Sequence, residues 1–205
     1  MRAVLVPVKS FAQAKHRLSP VLDDTGRAAL ARHLGSLVLA AAGDCPTHVA
    51  CDDDEVADWA LEQGAQVLFT PGLGLSGAVT AGVAQLGARG IELVVVAHAD
   101  LPFAHDLDAF GQIGEVTLAP DRRLDGTNLA AVPAASGYTF SYGPASFSRH
   151  RAEAERLGLR CRIVHDWRLA FDVDTPAELA VLRERVVLPP LGMTPAPAAA
   201  VRDIG

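Results

Sequence analysis

Cysteine is scarce in this chain: Cys45, Cys51 and Cys161 are the only three, and no two form a C-x-x-C pair. An odd number without that spacing argues against a disulfide framework and against a structural zinc site. A reduced, cytoplasmic setting is expected. Positive charge is also short, with 18 Lys and Arg against 24 Asp and Glu, a formal net charge of -6 and no basic run longer than two. Such a balance excludes the basic footprint of a duplex nucleic-acid binder and leaves room for a small anionic ligand held by a few local cations. No apolar run approaches the roughly 18 residues of a membrane span. The N-terminus opens on a polar-punctuated strand rather than a charged region and a long apolar stretch, so neither a membrane partner nor export is expected.

What is present is apolar: half of the 205 residues, enough for the core of one domain of ordinary size. Arg2 to Val8 reads as a strand. Residues 24–42 carry apolar side chains at helical spacing. The alternation then repeats, with strands at 47–51, 66–69 and 91–97 and helices at 53–63 and 75–88. Strand and helix in turn imply βαβ units, a mostly parallel sheet and right-handed crossovers. Beyond Asp106 the rhythm changes: strands at 115–119 and 129–133 around a polar loop, a helix at 145–157, a strand at 160–165 and a last helix at 176–185. The expectation is a single three-layer α/β/α domain over 1–188, Rossmann-like with a mostly parallel mixed sheet, whose later part faces a substrate. Residues 189–205 carry too much proline for a helix and read as a disordered Pro/Ala-rich tail.

Two acidic segments stand where apolar strands should end: His98-Ala99-Asp100-Leu101-Pro102 and Asp172-Val173-Asp174-Thr175-Pro176. Ligands of open parallel sheets bind beyond the carboxyl ends of the strands, so these carboxylates are placed to share one magnesium-nucleotide site. The competing reading is that each Asp caps the helix after it. The first loop, residues 7–20, gathers Lys9, Lys15 and Arg17 at the same edge, where they can hold phosphate oxygens. Carboxylates for a metal and cations for phosphate are complementary parts of a phosphoryl-transfer site.

Gly72-Leu73-Gly74-Leu75-Ser76-Gly77 fits the dinucleotide fingerprint and its strand-to-helix context. It follows the third strand rather than the first, and a dehydrogenase needs a second domain for which the chain lacks length. A glycine turn beside a nucleobase or ribose is the preferred reading. His98 and His105 match no zinc spacing; His98 is expected to pack at a strand end and His105 to face solvent. Farther on, Asp125-Gly126-Thr127-Asn128 reads as a turn. Tyr142-Gly143-Pro144-Ala145-Ser146-Phe147 opens a helix whose first amides, with the Ser146 hydroxyl, form a seat for phosphate or carboxylate.

Together with Val6-Pro7-Val8-Lys9, Ala14-Lys15-His16-Arg17-Leu18-Ser19 and His150, these segments resemble, in order and over nearly the whole folded chain, the guanylyltransferases that act on phosphoenolpyruvate or 2-phospho-L-lactate in coenzyme F-420 biosynthesis. The resemblance implies a glycosyltransferase-A-like nucleotidyltransferase fold, with transfer of GMP from GTP to a three-carbon phosphoacid and release of pyrophosphate. It further implies Mg2+ on Asp100 and Asp172 with Asp174 beside them, and a phosphoacid held by Thr127, Gly143 and Ser146. Nucleotide contacts fall on Lys9, Lys15, Arg17, Ser76 and Gly77, with Lys15 and Arg17 stabilising the leaving pyrophosphate. Ser76 departs from the Asn the family commonly carries there, which bears on guanine preference. The rival readings are a nucleotidyltransferase for another acceptor, such as a molybdopterin or a sugar phosphate, and a non-catalytic nucleotide-binding module. Residue order carries no signal for oligomeric state.

Overall fold

Strand β1 (Arg2–Pro7) places Ala3 and Leu5 on one face of a sheet and Val4 and Val6 on the other, and all four are fully buried. Burial on both faces is the signature of a central parallel strand. In the computed structural model, which describes residues 1–192, β1 lies between β2 (Thr47–Cys51) and β4 (Leu93–Ala97), parallel to both. With β3 (Gln66–Phe69), β5 (Val116–Pro120), β6 (Thr127–Pro133) and β7 (Cys161–Ile163), the seven-stranded order is β3-β2-β1-β4-β6-β5-β7. Only β6 runs against its neighbours β4 and β5.

Helices α1 (Asp24–Ala40) and α2 (Asp54–Glu62) cover the Val4 and Val6 face through Val38, Leu39, Val56 and Trp59. On the opposite face, α3 (Gly74–Ala88) and α4 (Ser146–Arg156) bury Val79, Val83, Leu86, Phe147 and Ala154 against Leu5 and Val96. The three-layer α/β/α expectation holds. A third cluster lies to the side, where Leu18 and Leu22 of the first loop meet Leu30 and Leu34 of α1, Phe171, Val173, and Leu179 and Leu182 of α6 (Pro176–Arg185). This cluster docks the late acidic segment onto the early basic loop.

Differences from the expected elements are local. The loop after β1 folds into two 3-10 turns, Phe11–Gln13 and His16–Leu18. A one-turn helix α5 (Trp167–Ala170) starts where the Asp166 carboxylate accepts from the Arg168 N–H, a short-range cap that strand periodicity does not reveal. His105 does not face open solvent: its two ring nitrogens lie 3.0 Å from Asp106 and Asp166 carboxylate oxygens, knitting the segment after β4 to α5. The glycine turn, with Gly72 and Gly74 at φ of 73° and 62°, follows the edge strand β3. A dinucleotide fingerprint belongs at the central strand, so this turn has another use. Of the expected tail, Leu191 packs against the third cluster and the Gly192 carbonyl accepts from the Asp23 N–H; residues 193–205 lie outside the described part. Among the described residues no helix is long and apolar enough to cross a membrane.

Candidate active site

Strand order reverses direction beside β1, so the loops leaving β1 and β4 part and leave a crevice at their carboxyl ends, the usual ligand position in such sheets. Asp100 leaves β4 there. Because β6 is antiparallel, its first residues reach the same edge, and the Asn128 carbonyl accepts from the His98 N–H at 3.1 Å. The Val173 N–H donates to the Asp100 carbonyl at 3.2 Å, which fixes the two acidic segments side by side. Neither carboxylate of that pair is a helix cap. Asp100 is followed by turns rather than a helix, and α6 is capped by Thr175, whose hydroxyl accepts from the Glu178 N–H in a full capping box. The Glu178 carboxylate in turn accepts from the N–H groups of Asp174 and Thr175 at 2.7 and 2.8 Å. Val173 is fully buried between half-buried Asp172 and Asp174, so the backbone is anchored while both carboxylates stay at the crevice.

The Lys15 ammonium lies between these segments, donating to Asp100 at 2.7 Å and to Asp174 at 3.0 Å. Its backbone is left-handed, with φ of 55°, a conformation uncommon outside glycine and tolerated where surrounding structure enforces it. Burial opposes the Lys15 charge, but Asp100 and Asp174 outweigh it and hold the ammonium above its ordinary pKa. Burial likewise works against the Asp100 carboxylate, and Lys15 overrides it and keeps Asp100 below its usual value. Asp172 lacks such a partner. Burial first, then the negative charge of Asp100, push it up to about 6. Arg17 is mostly exposed, with one guanidinium nitrogen 3.8 Å from Asp174.

A second cluster forms the other half. The Thr127 N–H donates to the Ser146 hydroxyl at 3.2 Å, and the Ser146 N–H donates to the Gly143 carbonyl at 3.0 Å. The three residues expected to hold a phosphoacid are therefore together. The expected seat in the first amides of α4 needs correction: Asp125 accepts from Ala145 and Phe147, and Gly143 accepts from Ser146, so those N–H groups are already engaged. The hydroxyls of Thr127 and Ser146 remain as donors. His150, on the same face of α4 one turn beyond Ser146, lies with Nδ1 3.0 Å from the Thr127 hydroxyl. The i, i+4 spacing of Ser146 and His150 is the sequence signal for that link.

Three cavities follow the crevice. One of about 440 Å³ is lined by Lys9, Gln13, Asp52, Thr70, Gly74 and Leu75 among others. It shares Lys9, Gln13 and Leu75 with a second, of about 240 Å³, that holds Lys15, His98, Asp100 and Asp174. Asp174 also borders a third, of about 320 Å³, with Arg17, Asp125, Gly143 and Asp172. Lys9, exposed, sits where the first two meet. Ser76 is turned elsewhere: its hydroxyl accepts from the Tyr142 N–H at 2.9 Å and so ties α3 to the loop before Gly143. Gly77 lies in the first turn of α3, where a Cβ would come within 3.1 Å of the Leu73 Cβ.

Among the described residues no three His, Cys, Asp or Glu side chains form a ready-made metal cluster, because Lys15 occupies the gap between Asp100 and Asp174. The donor set nevertheless suits magnesium. That ion is usually held by one or two carboxylates, waters and substrate phosphates, and here one Asp100 oxygen, Oδ1, is buried without a partner while Asp172 is short of positive charge.

A switch-point crevice with a carboxylate floor and adjoining cavities, on this sheet order, is the architecture of nucleotidyltransferase-type α/β domains. The fold is shared with a solved protein described as a nucleotide-diphospho-sugar transferase from Desulfovibrio desulfuricans G20 (TM-score 0.73, 19% identity, covering 88% of this chain and 85% of that one). The chain belongs to the family described as "Guanylyl transferase CofC like", whose model matches residues 1–183. Curated relatives include a phosphoenolpyruvate guanylyltransferase of Sphaerobacter thermophilus, 35% identical over 87% of this chain and 90% of its own length. A 2-phospho-L-lactate guanylyltransferase of Halorubrum lacusprofundi is 38% identical over 87% of this chain and 82% of its own.

Proposed function

We propose that the protein transfers GMP from GTP to the phosphate of a three-carbon phosphoacid, phosphoenolpyruvate or 2-phospho-L-lactate, and releases pyrophosphate. The observation that carries the reading is Asp174 as a shared wall: two cavities, one running to Lys9 and Lys15 of the β1 loop, the other lined by Gly143, meet at one cluster of carboxylates. A two-substrate site needs that juxtaposition.

In this reading the base occupies the cavity at the ends of β1 and β2. Asp52 there presents acceptor oxygens, which suit the adjacent N1–H and N2–H2 donors of guanine. The phosphates run past Lys9 towards Lys15, and Arg17 meets the leaving pyrophosphate. The phosphoacid lies against Thr127, Gly143 and Ser146. One of its phosphate oxygens attacks the α-phosphorus of GTP; a P–O–P bond forms, the bond to the bridging oxygen breaks, and pyrophosphate departs. A phosphate monoester is largely dianionic at neutral pH, so no side chain has to remove a proton. Charge repulsion is the barrier, and magnesium held by Asp100 and Asp172, with Asp174 adjacent, would supply the neutralising charge. In this reading the product serves coenzyme F-420 biosynthesis, as the family resemblance implies.

Incubation with GTP, magnesium and a panel of phosphoenolpyruvate, 2-phospho-L-lactate, a molybdopterin and a sugar phosphate, with products read by mass spectrometry, tests donor and acceptor together. The expected product is a guanosine diphosphate diester of a three-carbon acid. Absence of pyrophosphate release with both three-carbon acids sinks the reading.

A further inference from the structure

His150 is fully buried and has both ring nitrogens engaged. The Ser141 backbone N–H lies 3.0 Å from Nε2, and the Thr127 hydroxyl lies 3.0 Å from Nδ1. A backbone N–H can only donate, so Nε2 must accept and carries no hydrogen. The imidazole is then neutral with its single hydrogen on Nδ1, and that hydrogen is donated to the Thr127 oxygen. Burial, with His98 and Arg149 acting in the same direction and Glu153 against them, lowers His150 to about 4, in agreement with a neutral ring at neutral pH. The rings of Tyr138, Phe140 and Tyr142 close around it, with centroids 6.2, 5.5 and 5.0 Å away.

The direction of this chain has a consequence at its far end. Thr127 Oγ1 already accepts from His150, and Ser146 Oγ already accepts from the Thr127 N–H. A hydroxyl owns one hydrogen, and neither of these hydrogens meets an acceptor among the described contacts. Both hydroxyls, in residues that are almost fully buried, thus keep a hydrogen free to donate. We propose that His150 is a positioning residue for the acceptor subsite: by donating to Thr127 it keeps that hydroxyl's own hydrogen free for the bound group, so that the subsite favours an acceptor-only anionic oxygen, carboxylate or phosphate. The inference rests on the phosphoacid lying at Thr127 and Ser146, as in the proposed function.

A purely structural His150, needed only to knit Ser141 to β6, makes the opposite prediction for two variants. His150→Gln places its amide oxygen near the former Nε2, keeping the Ser141 bond and losing the one to Thr127. His150→Asn places an N–H near the former Nδ1, keeping the Thr127 bond and losing the other. The expected result is a KM for phosphoenolpyruvate raised about tenfold or more in His150→Gln, the scale of a lost hydrogen bond to a charged group. The KM for GTP should be unchanged, and the phosphoenolpyruvate KM should be largely restored in His150→Asn. Thermal unfolding of both variants separates folding from binding. Nitrogen NMR of labelled imidazole in the full-length protein reads the tautomer directly, and a hydrogen on Nε2 overturns the inference whatever the kinetics. Equal KM values in wild type and His150→Gln overturn it as well. A wild-type protein that binds phosphoenolpyruvate without turning it over fails the proposed function, while the dissociation constants of the three proteins still decide this inference. One that does neither overturns both.

Discussion

At the scale of single residues, Lys15 and His150 show how charge and proton direction are fixed by neighbours. Lys15 compensates two carboxylates, so Lys15→Met leaves Asp100 without an ion-pair partner and Asp174 with only the exposed Arg17, at a cost of about 3 kcal/mol. A divalent cation can take over that compensation. The midpoint of thermal unfolding should fall in the variant without magnesium and rise more on adding magnesium than it does in wild type. An equal response in the two proteins counts against a metal beside Asp100. For His150, the folded value of about 4 lies below the ordinary 6.5. The folded state therefore binds the proton less well than the unfolded chain. Its contribution is complete above pH 6.5 and is lost as pH falls from 6.5 towards 4, by about 3 kcal/mol in all. Asp172, raised by burial and like charge, works in the opposite sense, losing its contribution as pH climbs from 3.8 towards 6, and it is common to wild type and His150→Asn. The difference between their urea midpoints should accordingly shift against wild type as pH falls below 6.5; a difference independent of pH refutes the buried neutral imidazole.

At the scale of elements, α6 acts on the site through its N-terminus rather than its length. Thr175 and Glu178 lock the turn that carries Asp174, while Val173 and Leu179 hold it against Leu18 and Leu30. Thr175→Ala removes the cap and should cost about 1 kcal/mol of stability. Loss of that lock should also lower turnover severalfold at temperatures where the variant is still folded, as measured by pyrophosphate release. Full activity in a destabilised variant means that α6 supports the fold but does not position Asp174. The first loop is the matching element, since its 3-10 turn at His16–Leu18 delivers Leu18 to the same cluster and Lys15 to the carboxylates.

At the scale of the whole molecule, the crevice beside β1 orders base, phosphates and acceptor along one edge. Asp52, just beyond the end of β2 in the cavity of about 440 Å³, stands at the base end. Asp52→Asn replaces one acceptor oxygen by a donor, and the preference for GTP over ATP in kcat/KM should fall about tenfold or more; an unchanged ratio places base discrimination elsewhere. Much of this arrangement was legible in residue order. Val94-Val95-Val96 ending at Asp100 marked a buried strand with a carboxylate at its tip, and Pro176 marked the start of the last helix, whereas the Thr175–Glu178 capping box was not read. These are local signals, written in neighbours a few residues apart. The pairing of Lys15 with Asp100 and Asp174, the turning of Ser76 towards Tyr142 and the bridging of His105 were not legible, because each joins residues remote in the chain. The amino-acid sequence by itself determined the elements, the two faces of the sheet and the acidic strand ends, since periodicity and capping act within a turn or two. Only the tertiary structure decided which cation meets which carboxylate and which way the Thr127 hydroxyl points, since those depend on the antiparallel entry of β6 and on the packing of α6 against the first loop.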